Sequence, residues 1–238
     1  FPNIPSLSLS GSMSITQSKR DSTLSVSLPT LNISYSTFFP FKRKEAVGKA
    51  RWYEKISMRY TGTLANSINN VKEDMFFKSS LQRDWKNGMK HNIPVSATFN
   101  LLKYINVSPS FDYTERWYLT STEKSWDEKV QKEKIDTLTK FNRVYDFSMG
   151  VTASTKLYGT YTPLRALFGD KIDRIRHVMT PSIGFSYRPD FGDEKWGYYG
   201  TYTKSERDTK NPEIFHESEV QYSRYERNLY GGPSAGKS

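Results

Sequence analysis

Alternation of apolar and polar residues runs through most of this 238-residue chain and constrains its fold more than any other feature. Side chains on a strand point to opposite faces in turn, so a period of two marks a strand with one apolar and one wet side. From Ser6 to Thr16 the apolar positions are Leu7, Leu9, Met13 and Ile15, with hydroxyl residues and a glycine between them. A turn at Ser18-Lys19-Arg20-Asp21-Ser22 leads into Leu24, Val26 and Leu28. The phase slips at Pro29-Thr30 and resumes as Leu31, Ile33 and Tyr35. Proline cannot donate to a ladder, so a bulge is expected there.

The same period recurs at Ile56, Met58, Tyr60 and Leu64, and at Val95, Phe99 and Leu101. It continues through Ile105, Val107, Phe111, Tyr113, Trp117 and Leu119, then Tyr145, Phe147, Met149, Val151, Ala153 and Leu157. Ile183, Phe185 and Tyr187 form a further segment, with a weaker one around Val220 and Tyr222. About eight strands result. Several pass ten residues, longer than the roughly 5–6 of globular strands and close to the 9–11 that cross a bilayer.

Leu102-Lys103-Tyr104 reads as a tight hairpin, whereas 120–140 and 188–213 read as long polar loops, with 123–136 a solvated charge run. Short turns at one end and long loops at the other are the habit of outer-membrane barrels. Phe77, Leu81 and Trp85 recur every four residues, which predicts a helix that Gly88 could terminate.

Composition narrows the choice. The longest apolar runs are three residues, such as Met75-Phe76-Phe77, so no spanning helix of roughly 20 residues is available. A mean hydropathy of −0.70 suggests a soluble chain, but 15% aromatic residues is too many for a chain that buries nothing. The absence of cysteine excludes a disulfide scaffold and thiolate chemistry within these residues.

Two readings of the alternation compete. The apolar face either packs on a second sheet in a soluble sandwich, or faces lipid while the polar face lines a wet lumen. Three features favour lipid: strand length, a polar face of small hydroxyls plus charges, and aromatics near expected strand ends (Trp52-Tyr53, Trp117-Tyr118, Tyr35, Tyr187). The fold class is therefore all-β, an antiparallel transmembrane β-barrel. The expected domain is one partial barrel over 1–238, an incomplete segment of a larger barrel without a second complete domain. The lumen-facing residues would be Arg59, Asp112, Arg116, Asp146, Lys156 and Arg188.

Catalytic motifs fare badly. Gly231-Gly232-Pro233-Ser234-Ala235-Gly236-Lys237-Ser238 matches G-x-x-x-x-G-K-[ST], but such a loop needs a buried strand before it and a helix after it. His91, His177 and His216 lack zinc-ligand spacing, and Asp190, Asp193 and Glu194 read as solvated loop acids. No catalytic residue, metal site or cofactor is expected, and the chain is read as a non-enzyme. The net charge of +10 permits nucleic acid. However, the only basic clusters, Phe41-Lys42-Arg43-Lys44 and Arg174-Ile175-Arg176-His177, fall at strand ends, where lipid phosphates serve as well. No nucleic-acid partner is expected.

The stretch Arg176-His177-Val178-Met179-Thr180-Pro181-Ser182-Ile183-Gly184-Phe185-Ser186-Tyr187-Arg188-Pro189-Asp190-Phe191 resembles a strand of the outer-membrane lipopolysaccharide-assembly family LptD. There an Arg, a Pro and a Tyr-x-Pro recur along one long barrel strand, here Arg176, Pro181, Tyr187 and Pro189. Phe39-Pro40-Phe41-Lys42-Arg43-Lys44, Tyr53-Glu54-Lys55-Ile56, Phe141-Asn142-Arg143-Val144-Tyr145-Asp146 and Tyr230-Gly231-Gly232-Pro233 look like further pieces of it. The resemblance implies lipopolysaccharide transport in the bacterial outer membrane. It also implies glycolipid delivery by periplasmic bridge proteins, an LptE-type lipoprotein plug in the lumen, and contact with outer-membrane lipid. The family's gate strands are weakened by prolines, to which Pro2, Pro5 and Pro29 invite comparison. Other barrels, channel or transporter, and a soluble all-β protein binding nucleic acid or glycan remain the alternatives.

Overall fold

The computed structural model describes residues 6–45, 48–75, 85–102, 104–162, 174–207 and 215–238. The described residues form twelve strands, all paired antiparallel, and no α-helix. Strands β1 (Leu7–Ser18), β2 (Thr23–Phe38), β3 (Ser57–Lys72), β4 (Lys86–Ser96), β6 (Ile105–Asp127), β7 (Lys132–Thr155) and β10 (Ser182–Tyr187) lie side by side in that order. Strand β5 (Phe99–Leu101) pairs with β6. Strands β8 (Leu157–Tyr161) and β9 (Ile175–Met179) form one two-stranded sheet, β11 (Tyr199–Arg207) and β12 (Phe215–Ser223) another. Outer strands β1 and β10 do not pair with each other, so the sheet is an open segment of a barrel.

Two proline interruptions conceal longer strands. Ser96 faces Ser110 and Phe99 faces Val107 in one register, with the break at Ala97 opposite Pro109. The Ala97 N–H still donates to the Pro109 carbonyl at 3.1 Å, since proline lacks only the donor. Ser182 faces Ser154 and Met179 faces Leu157, again in one register, broken at Pro181, whose carbonyl accepts from the Thr155 N–H at 3.1 Å. The motif strand is thus continuous in direction from Ile175 to Tyr187, with Pro181 as its interruption. The bulge in β2 also lies where the sequence placed it: both of its ladders shift register between Ser27 and Thr30.

Several expectations need correction. Segment 120–140 is not a loop: β6 and β7 stay paired out to Asp127 and Lys132, with only residues 128–131 turning between them. Strand β11 likewise occupies part of 188–213. Long and short connections are mixed at each end of the sheet. The 19–22 and 128–131 turns share an end with 73–85, and 102–104 shares the other with 39–56. The helix expected over 77–85 falls mostly outside the described residues, and Gly88 is a strand residue of β4. Pro2 and Pro5 also lie outside them. No helix among the described residues is long and apolar enough to cross a membrane.

Candidate functional site: the two faces of the sheet

Register sorts the side chains into two faces. One carries Ser10, Asn32, Thr63, Lys90, Arg116 and their period-two neighbours, as the pairings Ser10↔Asn32, Asn32↔Thr63, Thr63↔Lys90 and Lys90↔Arg116 require. Cross-strand bonds run along it, from Thr63 Oγ1 to Asn32 Oδ1 at 3.0 Å and from Thr114 Oγ1 to Asn92 Oδ1 at 3.4 Å. The opposite face carries Leu9, Ile33, Leu64, Phe111, Met149 and Phe185. Leu9, Phe185 and Ile183 are each about 70% exposed, and among the described residues no second sheet covers them. So broad an open apolar face is uncommon on a water-soluble domain.

Of the six residues expected on the polar face, Arg59, Asp112, Arg116 and Asp146 lie within strands on that face, Lys156 falls between β7 and β8 and Arg188 follows β10, and only two of the six meet. Arg116 Nη1 donates to Asp146 Oδ1 at 2.7 Å, as diagonal cross-strand neighbours can. Arg59 lies opposite Pro94, whose other neighbour is Asp112, so a whole strand separates that pair. Arg59, Asp112 and Lys156 are exposed. Arg188 is tied to the C-terminal segment: its N–H donates to the Ser238 carbonyl at 2.8 Å and its Nη2 to the Gly236 carbonyl at 3.3 Å. Of the motif residues, Arg176 stacks over the Tyr158 ring at 4.6 Å, Tyr187 ends β10 opposite Met149, and Pro189 is buried in the following loop.

Residues 188–207 and 215–236 fold back over β6 and β7. β10 pairs with β7 only from Met149 to Ser154, which leaves the upper edge of β7 without a strand partner among the described residues. Phe191, Trp196 and Tyr198 wrap that edge, and the Tyr198 hydroxyl accepts from the Tyr145 N–H at 3.1 Å. On the polar face Tyr118, Val144 and Tyr225 complete a buried aromatic cluster, with the Tyr118 hydroxyl donating to the Gly231 carbonyl at 2.8 Å. Tyr230 reaches β3, donating to the Thr63 carbonyl at 3.3 Å, and Asn228 Nδ2 donates to the Thr120 carbonyl at 2.8 Å. Tyr118 therefore belongs to an internal core and to no interface girdle. The glycine-rich match is part of this packing. Gly236 N–H is already donated to Asp190 Oδ1 at 2.8 Å, as is Gly192 N–H at 2.8 Å, and these bonds hold the Asp190 carboxyl below its ordinary range.

Sequence reading missed one feature of the apolar face. Glu115 and Arg143 form a bidentate ion pair there, Nε to Oε1 at 2.7 Å and Nη2 to Oε2 at 2.8 Å. Trp117 Nε1 donates to the same carboxylate at 2.6 Å, and so does the Tyr113 hydroxyl. His91 lies beside it, its Nδ1 2.8 Å from the Tyr60 hydroxyl and its ring 4.4 Å from that of Trp117. The signal was the gap at position 115 in the apolar run Phe111, Tyr113, Trp117, Leu119. With Tyr35, Tyr60 and Tyr145 in the same and adjoining rows, this is a belt of amphipathic rings. Below it the outward positions Phe99, Val107, Val151, Phe185, Phe111 and Met149 are apolar. Above Trp117, β6 runs ten more residues to Asp127, about 33 Å at ~3.3 Å per residue.

A family model described as LptD protein matches residues 1–238. No curated protein and no solved structure matches the chain. The long antiparallel strands with one lipid-suited face, first read from alternation, thus coincide with a match over the full length: the chain belongs to the LptD family, which serves lipopolysaccharide transport and assembly at the bacterial outer membrane.

Proposed function

We propose that these residues form part of the wall of a glycolipid translocon, the barrel portion of a lipopolysaccharide exporter. The observation that carries this reading is a single sheet with an uncovered apolar face and an opposite face of hydroxyls and charges. The apolar face meets lipid chains, and the polar face hydrates the saccharide as it passes. The work is passage and positioning, with no bond made or broken and no cofactor. Arg59, Asp112, Arg116, Asp146, Lys156 and Arg188 keep the interior wet and contact the glycolipid core or an LptE-type plug. Periplasmic bridge proteins deliver the cargo. A photo-crosslinker placed at Asp112 or Arg59 should capture lipopolysaccharide or the plug protein in cells, while Met58 and Phe111 should capture neither. Equal capture from both sets would refute the assignment of faces.

A further inference from the structure

We propose that the polar face carries a phosphate-binding site at the end of the sheet where β2 joins β3, a property that rests on the translocon reading. A cavity of about 460 Å³ opens there, lined by Phe39, Lys42, Glu54, Lys55, Ser57, Ser96, Ala97 and Thr98. That volume falls within the roughly 300–1,000 Å³ of small-molecule sites, so it admits a phosphorylated sugar as well as a bare ion.

The lining is cationic and hydroxylic. Lys42 and Lys55 pair with no carboxylate among the described residues, and Lys42 Nζ lies 5.9 Å from the Phe39 ring centre. Ser57 Oγ donates to the Ser96 carbonyl at 3.0 Å and sits 3.0 Å from Ser96 Oγ, and Thr98 Oγ1 lies 3.4 Å from Ser108 Oγ, so a row of hydroxyls borders the space on the sheet side, with Ser96 and Thr98 as its donors. The one acid of the lining, Glu54, is already matched. Its side chain is 3% exposed, and it accepts from the Arg43 guanidinium through both oxygens and from the Arg51 N–H at 2.6 Å. That clamp folds loop 39–56 so that Lys42 and Lys55 stand on one cavity. Around it, Lys42, Arg43, Lys44, Lys49, Arg51 and Lys55 face only Glu45 and Glu54 over residues 39–56.

Two ammonium groups, hydroxyl donors and a neutralised acid are the chemistry of a phosphate monoester site, with Lys acting as a point charge. The phosphate can belong to the saccharide end of the transported glycolipid or to a free ion. Located at one mouth of the polar face, the site would hold the phosphorylated headgroup as it enters or leaves that face.

The test reads lysine reactivity in the intact protein and needs no transport. Acetylation rates of Lys42 and Lys55, with Lys132 at the far end of the sheet as control, are measured by mass spectrometry. The probes are inorganic phosphate, lipopolysaccharide, and the same lipopolysaccharide after phosphatase treatment. Lipopolysaccharide should slow acetylation of Lys42 and Lys55 about tenfold, the worth of one charge-assisted contact, and leave Lys132 unchanged. Phosphatase treatment should abolish the effect, and the Lys42→Gln/Lys55→Gln variant should lose phosphate-dependent binding. Protection by inorganic phosphate alone supports the phosphate chemistry with the free ion as source. Equal protection of Lys132, or protection that survives phosphatase treatment, overturns the site. Failure of the Asp112 crosslink with Lys42 and Lys55 still protected would refute the translocon reading and spare the phosphate site.

Discussion

Truncation of Tyr118 tests whether residues 224–236 dock on the polar face as a unit. The ring is 1% exposed, stacks on Tyr225 with centroids 5.8 Å apart, and donates from its hydroxyl to the Gly231 carbonyl at 2.8 Å. Removing a buried aromatic ring costs about 3–5 kcal/mol, whereas Tyr118→Phe removes one hydrogen bond worth about 0.5–1.5 kcal/mol. At about 1.4 kcal/mol per decade, Tyr118→Ala shifts the docking equilibrium by roughly two to three and a half powers of ten, and Tyr118→Phe by about one or less. Hydrogen exchange of peptides covering 224–236 reads this directly, because amide protection follows the local opening equilibrium. Peptides of β2 and β3 remote from the ring serve as the internal standard. Protection of 224–236 should collapse in the alanine variant and fall modestly in the phenylalanine variant, with β2 and β3 unchanged. Unchanged protection of 224–236 would refute the docking role, and an equal loss across the whole sheet would make Tyr118 a support of the sheet instead.

Gly88→Ala should loosen the same segment by displacing the Tyr118 ring, because a Cβ there would stand 2.9 Å from it; retained exchange protection would contradict this. Glu54 gives a pH signature in loop 39–56. The Arg43 guanidinium pushes its pKa down to about 2 from 4.5, so the contribution is present above pH 4.5 and is lost as pH falls toward 2. Trp52 fluorescence should follow that titration, and Glu54→Gln should remove the acid transition. On the outward face, Glu115→Leu strands Arg143 and Arg143→Leu strands Glu115, so either change should lower the thermal stability of the detergent-solubilised protein. The double leucine variant should recover most of the loss, since matched apolar replacement of an ion pair is often neutral. Additive losses in the double variant would show that the pair is not coupled.

Alternation is legible only where the two faces of a strand meet different surroundings, and this decides what the sequence could disclose. β1, β2, β3 and β10 separate an apolar side from a wet one, and their residues alternate visibly. Beyond Leu119, β6 carries Ser121, Glu123 and Ser125 on one face and Thr120, Thr122 and Lys124 on the other. Both faces there are polar, so a long paired strand reads as a loop. The first half of β4 fails for a different reason. Asn87 and His91 sit on its apolar side, and Gly88 on the other side is needed to clear the Tyr118 ring. Pairing on both edges holds that strand despite its weak pattern. The Glu115–Arg143 pair joins residues 28 apart, and the cavity joins loop 39–56 to β3, β4 and the residues after β4. Such conjunctions depend on register, which a single sequence does not display, although the basic cluster Lys42-Arg43-Lys44 marked the neighbourhood.

The central claim is that one face of this sheet meets lipid and the other meets water. These 238 residues contain no cysteine, so one introduced thiol at a time can be read without background from this stretch. Single cysteines at Val107, Ser108, Ser110, Phe111, Asp112 and Tyr113 sample consecutive turns of β6 on alternate faces. In the full protein in outer-membrane vesicles, a charged, membrane-impermeant maleimide should label positions 108, 110 and 112 and spare 107 and 111. A bimane placed at 107 or 111 should be quenched by acyl-chain nitroxide lipids. Uniform labelling along the strand, or quenching at the even positions, would contradict the account.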